Sequence, residues 1–308
     1  MRIDEFNIND ATALCRPRDP DSHKGTFGHG LLTAGSYGMA GAALMAARAC
    51  LRSGIGLLTV STPECNRIIL QTTVPEAMVR TNGEHCWRDV IDDISRYSAI
   101  AVGPGLGTNP DTGNALALLL KSASDAGRQL IIDADALNII ASSDRLDLLE
   151  GTIITPHPGE FDRLLICCGQ SYDKSRRAEQ ASEFAAQYGC HVILKGHATV
   201  VASPDGNISI NTTGNPGMAT GGSGDVLTGI LLALCAQGYR PFDAARLGVF
   251  IHGSAGDIAA SRLGQTSMTA TDITAFLPEA WNMAVRCAHT QIEKEMNTTD
   301  SKKNYFCL

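Results

Sequence analysis

A chain of 308 residues with 44% apolar and 19% charged side chains has the make-up of a globular protein with a sizeable core, and its length allows one or two domains. A formal net charge of −7 and the lack of a long Lys/Arg block exclude nucleic acid as the main partner. Thirty-one glycines against 8 Phe, 6 Tyr and 2 Trp favour an α/β protein with many tight turns over an aromatic-rich β-sandwich. The ten cysteines include no Cys-x-x-Cys pair, Met1–Asp10 is polar, and no 18-residue apolar run occurs. The expected setting is therefore the cytoplasm, with reduced thiols and no membrane association.

Residues 1–22, with Pro17, Pro20 and several acids, read as a loosely structured arm. A repeating theme follows, in which short apolar segments end in glycine-rich turns and lead into helical patterns. Gly30–Ala34 predicts a strand, Gly35–Gly38 a turn, Met39–Arg52 an Ala-rich helix and Leu57–Ser61 a second strand. Ser98–Val102 runs as a strand into Gly103-Pro-Gly-Leu-Gly107, and Thr112–Ser122 is helical. Gln129–Ile132 ends at Asp133-Ala-Asp135, and Thr152–Thr155 ends at Pro156-His-Pro-Gly-Glu160. Ser175–Tyr188 predicts a helix and His191–Leu194 a strand. Thr199–Ala202 and Ile208–Asn211 flank Pro204-Asp-Gly206 as a hairpin. The polar segment 288–308 reads as a frayed tail, so the expected layout is one domain over 23–287 between an arm and a tail. Strands that alternate with helices and are apolar along their length imply a mostly parallel sheet covered on both faces.

In such sheets ligands bind outside the carboxyl ends of the strands, which is where the glycine clusters and the Lys195-Gly196 step fall. The densest cluster is Asn215-Pro-Gly-Met-Ala-Thr-Gly-Gly-Ser-Gly-Asp225, directly before the apolar run Val226–Ala236. It is neither a Walker loop nor a dinucleotide fingerprint, because the Lys-Ser/Thr and Gly-x-Gly-x-x-Gly spacings are missing. Glycines let the backbone approach a ligand, and the first N–H groups of the following helix form an anion site. A carboxylate beside a phosphate cradle is electrostatically awkward. Asp225 either caps the helix or takes a proton from a hydroxyl, and the upstream Asn215-Pro-Gly217 favours the base.

His157 sits between two prolines that fix the loop, which suits a substrate contact. Glu160 either opens a helix as a dipole-friendly acid or helps to hold Mg²⁺ through water. Lys195 at a strand end suits a phosphate. Asp133, Asp135 and Asn138 either approach a metal or cap and turn. The loop Lys24-Gly-Thr-Phe-Gly-His-Gly30 is a further presented segment or a flexible lead into the first strand. His252 and the cysteines read as structural.

Taken together, Lys24–Gly30 with Gly35–Ala43, Val102–Gly107, Asp133–Asn138, Thr155–Glu160, Leu194–Thr199 and Asn215–Gly229 resemble the NAD(P)H-hydrate dehydratases of the ribokinase-like superfamily over about residues 23 to 285. Gly-Ser-Gly-Asp alone marks the superfamily. The Thr-Pro-His-Pro-Gly-Glu block and the long Asn-Pro-Gly-to-Thr-Gly block point to the dehydratase. The resemblance implies a ribokinase-like three-layer α/β/α fold with a mostly parallel central sheet. It implies an enzyme that uses ADP or ATP with Mg²⁺ to return hydrated NADH and NADPH (NADHX, NADPHX) to NADH and NADPH by transient phosphorylation of the 6-hydroxyl. By motif, Ala40, Gly105, His157 and Asp225 contact the hydrated dinucleotide. Lys195, Gly196, His197, Ala198, Thr199 and Gly224 contact the nucleotide, and the amides of Gly222, Ser223 and Gly224 form an anion hole. Asp225 is the catalytic base, and no protein metal ligand is assigned. The resemblance also implies a homo-oligomer, with a tetramer expected. It implies an epimerase for the hydrate as well, either as a separate protein or in a longer chain of which this one is a fragment. The alternative is a vitamin-precursor kinase of the same superfamily.

Overall fold

The computed structural model describes residues 2–88, 91 and 93–303. In chain order its strands are β1 (Arg2–Phe6), β2 (His29–Thr33), β3 (Leu57–Thr62), β4 (Met78–Thr81), β5 (Ala99–Val102), β6 (Gln129–Ile132), β7 (Ile153–Ile154), β8 (His191–Leu194), β9 (Val200–Ala202) and β10 (Asn207–Asn211). Its helices are α1 (Ile8–Leu14), α2 (Ala40–Arg52), α3 (Arg67–Thr73), α4 (Pro110–Asp125), α5 (Ala134–Ser142), α6 (Pro158–Cys167), α7 (Arg177–Tyr188), α8 (Ser223–Ala236), α9 (Pro241–Leu263) and α10 (Ala270–Lys303). Among the described residues no helix is long and apolar enough to cross a membrane.

One sheet carries all ten strands in the order β1-β10-β9-β8-β7-β6-β5-β2-β3-β4. Every pairing is parallel except the two made by β9, which runs against both β8 and β10. The strand period of two divides the core into two layers. Leu32, Val60, Ala101, Ile131 and Ile193 face α2, α8, α9 and α10. Leu31, Val102, Ile132, Ile154 and Val192 face α4 to α7, where Leu116, Leu119, Phe161 and Phe184 are buried. This is the three-layer α/β/α arrangement with a mostly parallel sheet that the alternating pattern implied, and the hairpin β9–β10 forms as expected.

Two segments differ from the reading of the sequence. The amino-terminal arm is ordered. β1 pairs with β10 in register from Arg2↔Asn207 to Phe6↔Asn211, and Phe6 is buried beside Phe250, with ring centroids 5.7 Å apart. Asn7 caps α1 through a reciprocal box with Asp10. A five-residue edge strand with one buried side chain has little pattern of its own, because its partner lies two hundred residues away. The segment after residue 287 continues α10 to Lys303, and no Gly or Pro between 279 and 303 interrupts it. Residues 304–308 of the expected tail lie outside the described residues.

α2 and α8 approach closely because Gly229 has no side chain. A Cβ there would lie 2.1 Å from the Ala46 carbonyl oxygen. Gly229→Ala therefore forces two helix backbones apart and is expected to cost about 1–3 kcal/mol despite the better helix propensity of alanine. Gly41→Ala, at a position on α2 with nothing within 4 Å, is expected to be neutral or slightly stabilising. Melting temperatures of the two variants against the parent check this pair.

Candidate active site

β2, β5, β6, β7 and β8 run parallel, so the segments that follow them leave from one edge of the sheet. β10 runs with β8 because each is antiparallel to β9, so the loop after Asn211 leaves from the same edge. Beneath that loop lies a cavity of about 650 Å³. Its lining includes Asp133, His157, Lys195, Gly224, Asp225 and His252.

Asp225 is the third residue of α8. Gly222 occupies the cap at φ +91, and no side chain caps the helix. Asp225 is therefore not the cap, and among the described residues no side chain caps the first-turn N–H groups. The φ of +91 at Gly222 favours glycine at the turn that starts α8, and a Cβ there would also displace the end of the Met45 side chain. Burial, together with the nearby charge of Asp133, raises the Asp225 carboxyl to about 7. Lys195 opposes that shift, and Asp135 adds to it.

Asp133, 1% exposed, accepts from Lys195 Nζ at 2.9 Å and from Thr228 Oγ1 at 2.7 Å. Burial alone would lower the pKa of Lys195. Asp133, Glu160 and Asp225 outweigh it and hold the ammonium above its ordinary value. Lys195 is thus a paired cation rather than a solvated one, and it sits directly over the helix start: a Cβ on Gly224 would lie 3.1 Å from its Nζ. Ala134, next to Asp133, has φ +48, a strained backbone for a non-glycine residue in a cavity wall. Asp135 accepts from Gly107 N at 2.8 Å.

His157 is the cap of α6. Its Nδ1 accepts from Gly159 N at 3.0 Å and Glu160 N at 3.3 Å, while the carboxylate of Glu160 accepts from His157 N at 2.8 Å. The network places the ring proton on Nε2, 3.4 Å from Glu160 Oε1. Of the two readings for Glu160, the helix-opening acid is realised, although its side chain also lines the cavity. Gly196, His197 and Thr199 line the cavity, with Thr199 Oγ1 donating to Gly196 O at 3.1 Å; Ala198 is not part of the lining.

Ala40 and Gly105 do not line the cavity. A Cβ on Gly105 would touch Met39 and Ala42 on either side of Ala40, and Ser36 Oγ donates to Gly105 O at 2.9 Å. His252, which the sequence suggested was structural, lines the cavity on α9 with Nε2 3.4 Å from Ser223 Oγ. Burial lowers it to about 4, so it is neutral around pH 7. The glycines at 248, 253 and 256 on the same helix were the available signal, since a helix keeps glycine where another segment comes close. Among the described residues no group of three or more His, Cys, Asp or Glu side chains is arranged to hold a metal ion.

The site therefore offers an uncapped helix start for an anion, a carboxylate of near-neutral pKa at its edge and a paired ammonium above it. Such a set can hold a phosphoryl group and accept a proton from a hydroxyl.

A family model described as NAD(P)H-hydrate dehydratase matches residues 31–279. A bifunctional NAD(P)H-hydrate repair enzyme of Moorella thermoacetica is 41% identical over 282 residues, covering 86% of this chain and 52% of that protein. The chain thus spans about half the length of the curated relatives first matched. A crystal structure of the Bacillus subtilis ADP/ATP-dependent NAD(P)H-hydrate dehydratase, co-crystallised with ATP and Mg²⁺, superposes with a TM-score of 0.80 at 33% identity, covering 92% of this chain and 99% of that one. A ribokinase-like superfamily protein of Enterococcus faecalis superposes at 0.78 with 28% identity over 92% and 96% of the two chains. The fold is ribokinase-like, and the chain belongs to the NAD(P)H-hydrate dehydratase family.

Proposed function

We propose that this chain dehydrates NADHX and NADPHX, hydrated at carbon 6 of the nicotinamide ring, at the expense of ADP or ATP. The carrying observation is Asp225, set just inside the uncapped start of α8 with its carboxyl raised to about 7. Asp225 takes the proton of the 6-hydroxyl as that oxygen forms a bond to the terminal phosphorus of the donor and the bond to the departing nucleotide breaks. The N–H groups of Gly222, Ser223 and Gly224 receive the charge on the moving phosphoryl oxygens, and the ammonium of Lys195 adds to them. The phosphate then leaves with the electrons of its bond to carbon, a proton departs from the adjacent ring carbon, and the double bond returns.

His157, Ala40 and Gly105, with Asp225, would contact the hydrated dinucleotide. Lys195, Gly196, His197, Ala198 and Thr199 would hold the nucleotide. The acids around the cavity suit a Mg²⁺ carried in on the nucleotide: Asp133 is engaged by Lys195 and Thr228 and Asp135 by Gly107, so the phosphates and water would supply most of its oxygens. When bound, the ion would neutralise donor phosphate charge. We extend the proposal to a cytoplasmic homo-oligomer, a tetramer, served by an epimerase for the other hydrate epimer. The free thiols among the described residues agree with a reducing compartment.

Incubation with chemically hydrated NADH and ADP or ATP, followed through the near-ultraviolet absorbance of NADH, is expected to show recovery of the dinucleotide. A stable phosphorylated alcohol with no NADH would instead identify a kinase. Asp225→Asn is expected to lower kcat by about 10²–10⁴ while nucleotide affinity changes by less than about threefold. Turnover like that of the parent would reduce Asp225 to a structural residue.

Below pH about 7 Asp225 carries a proton and cannot accept another; above it, the carboxylate is present. The ratio kcat/KM should therefore rise with pH through about 7 with unit slope and then level off. A profile flat between pH 5 and pH 9, values that bracket about 7, contradicts the assignment.

A further inference from the structure

We infer that Asp257 and Asn215 form a clamp that positions the loop running from Gly214 into the anion-binding start of α8, and that Asp257 is a positioning residue for the nucleotide site although it contributes nothing to the cavity lining. The inference rests on the nucleotide half of the proposed function. Asp257, on α9, accepts from Gly214 N through one carboxylate oxygen and from Asn215 Nδ2 through the other, both at 2.9 Å. Asn215 Oδ1 in turn accepts from Gly217 N at 3.0 Å, which fixes the orientation of that amide. From Asn215 the backbone turns without interruption toward the start of α8. Met218 N donates to Asn215 O at 3.0 Å, Ala219 N to Pro216 O at 3.1 Å, Thr220 N to Met218 O at 2.8 Å, and Ser223 N to Thr220 O at 3.4 Å.

The face of α9 beside Asp257 is shaped to seat this run. A Cβ on Gly253 would lie 2.2 Å from Thr213 Oγ1, and one on Gly256 would lie 2.3 Å from Met218 Sδ. On the far side a Cβ on Gly217 would meet Met268 at 2.6 Å. Gly214, Asn215, Pro216, Met218 and Ala219 all line the cavity, so a shift of the loop changes the shape of the pocket and the aim of the helix start together. Sequence places these partners forty-two residues apart, and only the fold brings the acid to the loop.

The pairing has a directional test. In Asp257→Asn one amide N–H must face another donor, whichever way the new side chain turns. In Asn215→Asp two carboxylates face each other. In the double variant Asn215→Asp with Asp257→Asn, the new aspartate accepts from the new asparagine and from Gly217 N, while the asparagine oxygen accepts from Gly214 N, so every donor again has an acceptor. Calorimetric titration with Mg-ADP is expected to show each single variant binding about tenfold more weakly and the double variant within about threefold of the parent. In the repair assay the KM for nucleotide should rise in the single variants while the KM for the hydrate stays unchanged. If Asp257→Asn fails to fold, Asn215→Asp and the double variant carry the same comparison.

Parent-like ADP affinity in the single variants overturns the clamp. So does a double variant no better than the weaker single, or a fall in melting temperature with the affinity of the folded protein unchanged. A parent protein that binds ADP but restores no NADH refutes the dehydratase reading and leaves the clamp standing.

Discussion

The carboxylate of Asp133 accepts from two groups that lie far from it in sequence, Lys195 at the end of β8 and Thr228 on the second turn of α8. The backbone around it is just as constrained: a Cβ on Gly103, after β5, would lie 1.8 Å from the Asp133 carbonyl oxygen, and Ala134 is driven to φ +48. A buried ion pair is weak evidence of stability, because desolvation offsets much of the attraction. Its value here is register. Asp133 ties two strand ends to one helix and so fixes how far α8 projects beyond the edge of the sheet. The close approach of Gly229 to Ala46 fixes the same helix from its other side. Between them, these contacts set the point at which the start of α8 meets the cavity.

That arrangement also explains the electrostatics of Asp225. A carboxylate three residues into a helix would ordinarily be stabilised by the helix dipole. At this position burial and the neighbouring charge of Asp133 dominate, and the cation that opposes them, Lys195, is already shared with Asp133. The carboxyl therefore titrates near neutrality, where a general base combines availability with strength. His252, which also lines the cavity, is driven the other way by burial and remains a neutral neighbour of Ser223.

Much of this site was legible in the sequence because the fold writes it in a local code. Parallel strands end at one edge, and Gly103–Gly107, Asp133–Asp135, Pro156–Glu160 and Lys195–Thr199 each follow a strand directly. Their convergence needed no knowledge of long-range packing. The sequence pattern failed where meaning depends on a distant partner. β1 is a strand only because β10 offers it an edge, and Asp257 is a clamp only because α9 passes the loop after β10. His252 looked like core because its neighbours on α9 are core, and periodicity does not show that one side of that helix also closes a cavity. His157 lines the cavity, and its ring, framed by two prolines, also accepts from two N–H groups of α6 that it caps.

The positions of Ala40 and Gly105 bear on the proposed chemistry. Gly105 packs against Met39 and Ala42 at the start of α2, and neither it nor Ala40 lines the cavity, in which Lys195, Gly196, His197 and Thr199 stand with Asp225. The proposed chemistry needs a hydroxyl and a phosphoryl donor to meet at Asp225, as a phosphoryl transfer to a hydroxyl does whatever follows it. What turns phosphorylation into dehydration then lies in the substrate. Carbon 6 of the hydrated ring is bonded to the ring nitrogen, whose lone pair can expel a good leaving group from that carbon. Once the hydroxyl has become a phosphate ester, departure of the phosphate needs no further acid from the protein. The residues around His157 and Asn215 line the same cavity as Asp225, and so bound the space beside the acid in which the proposed substrate would be held.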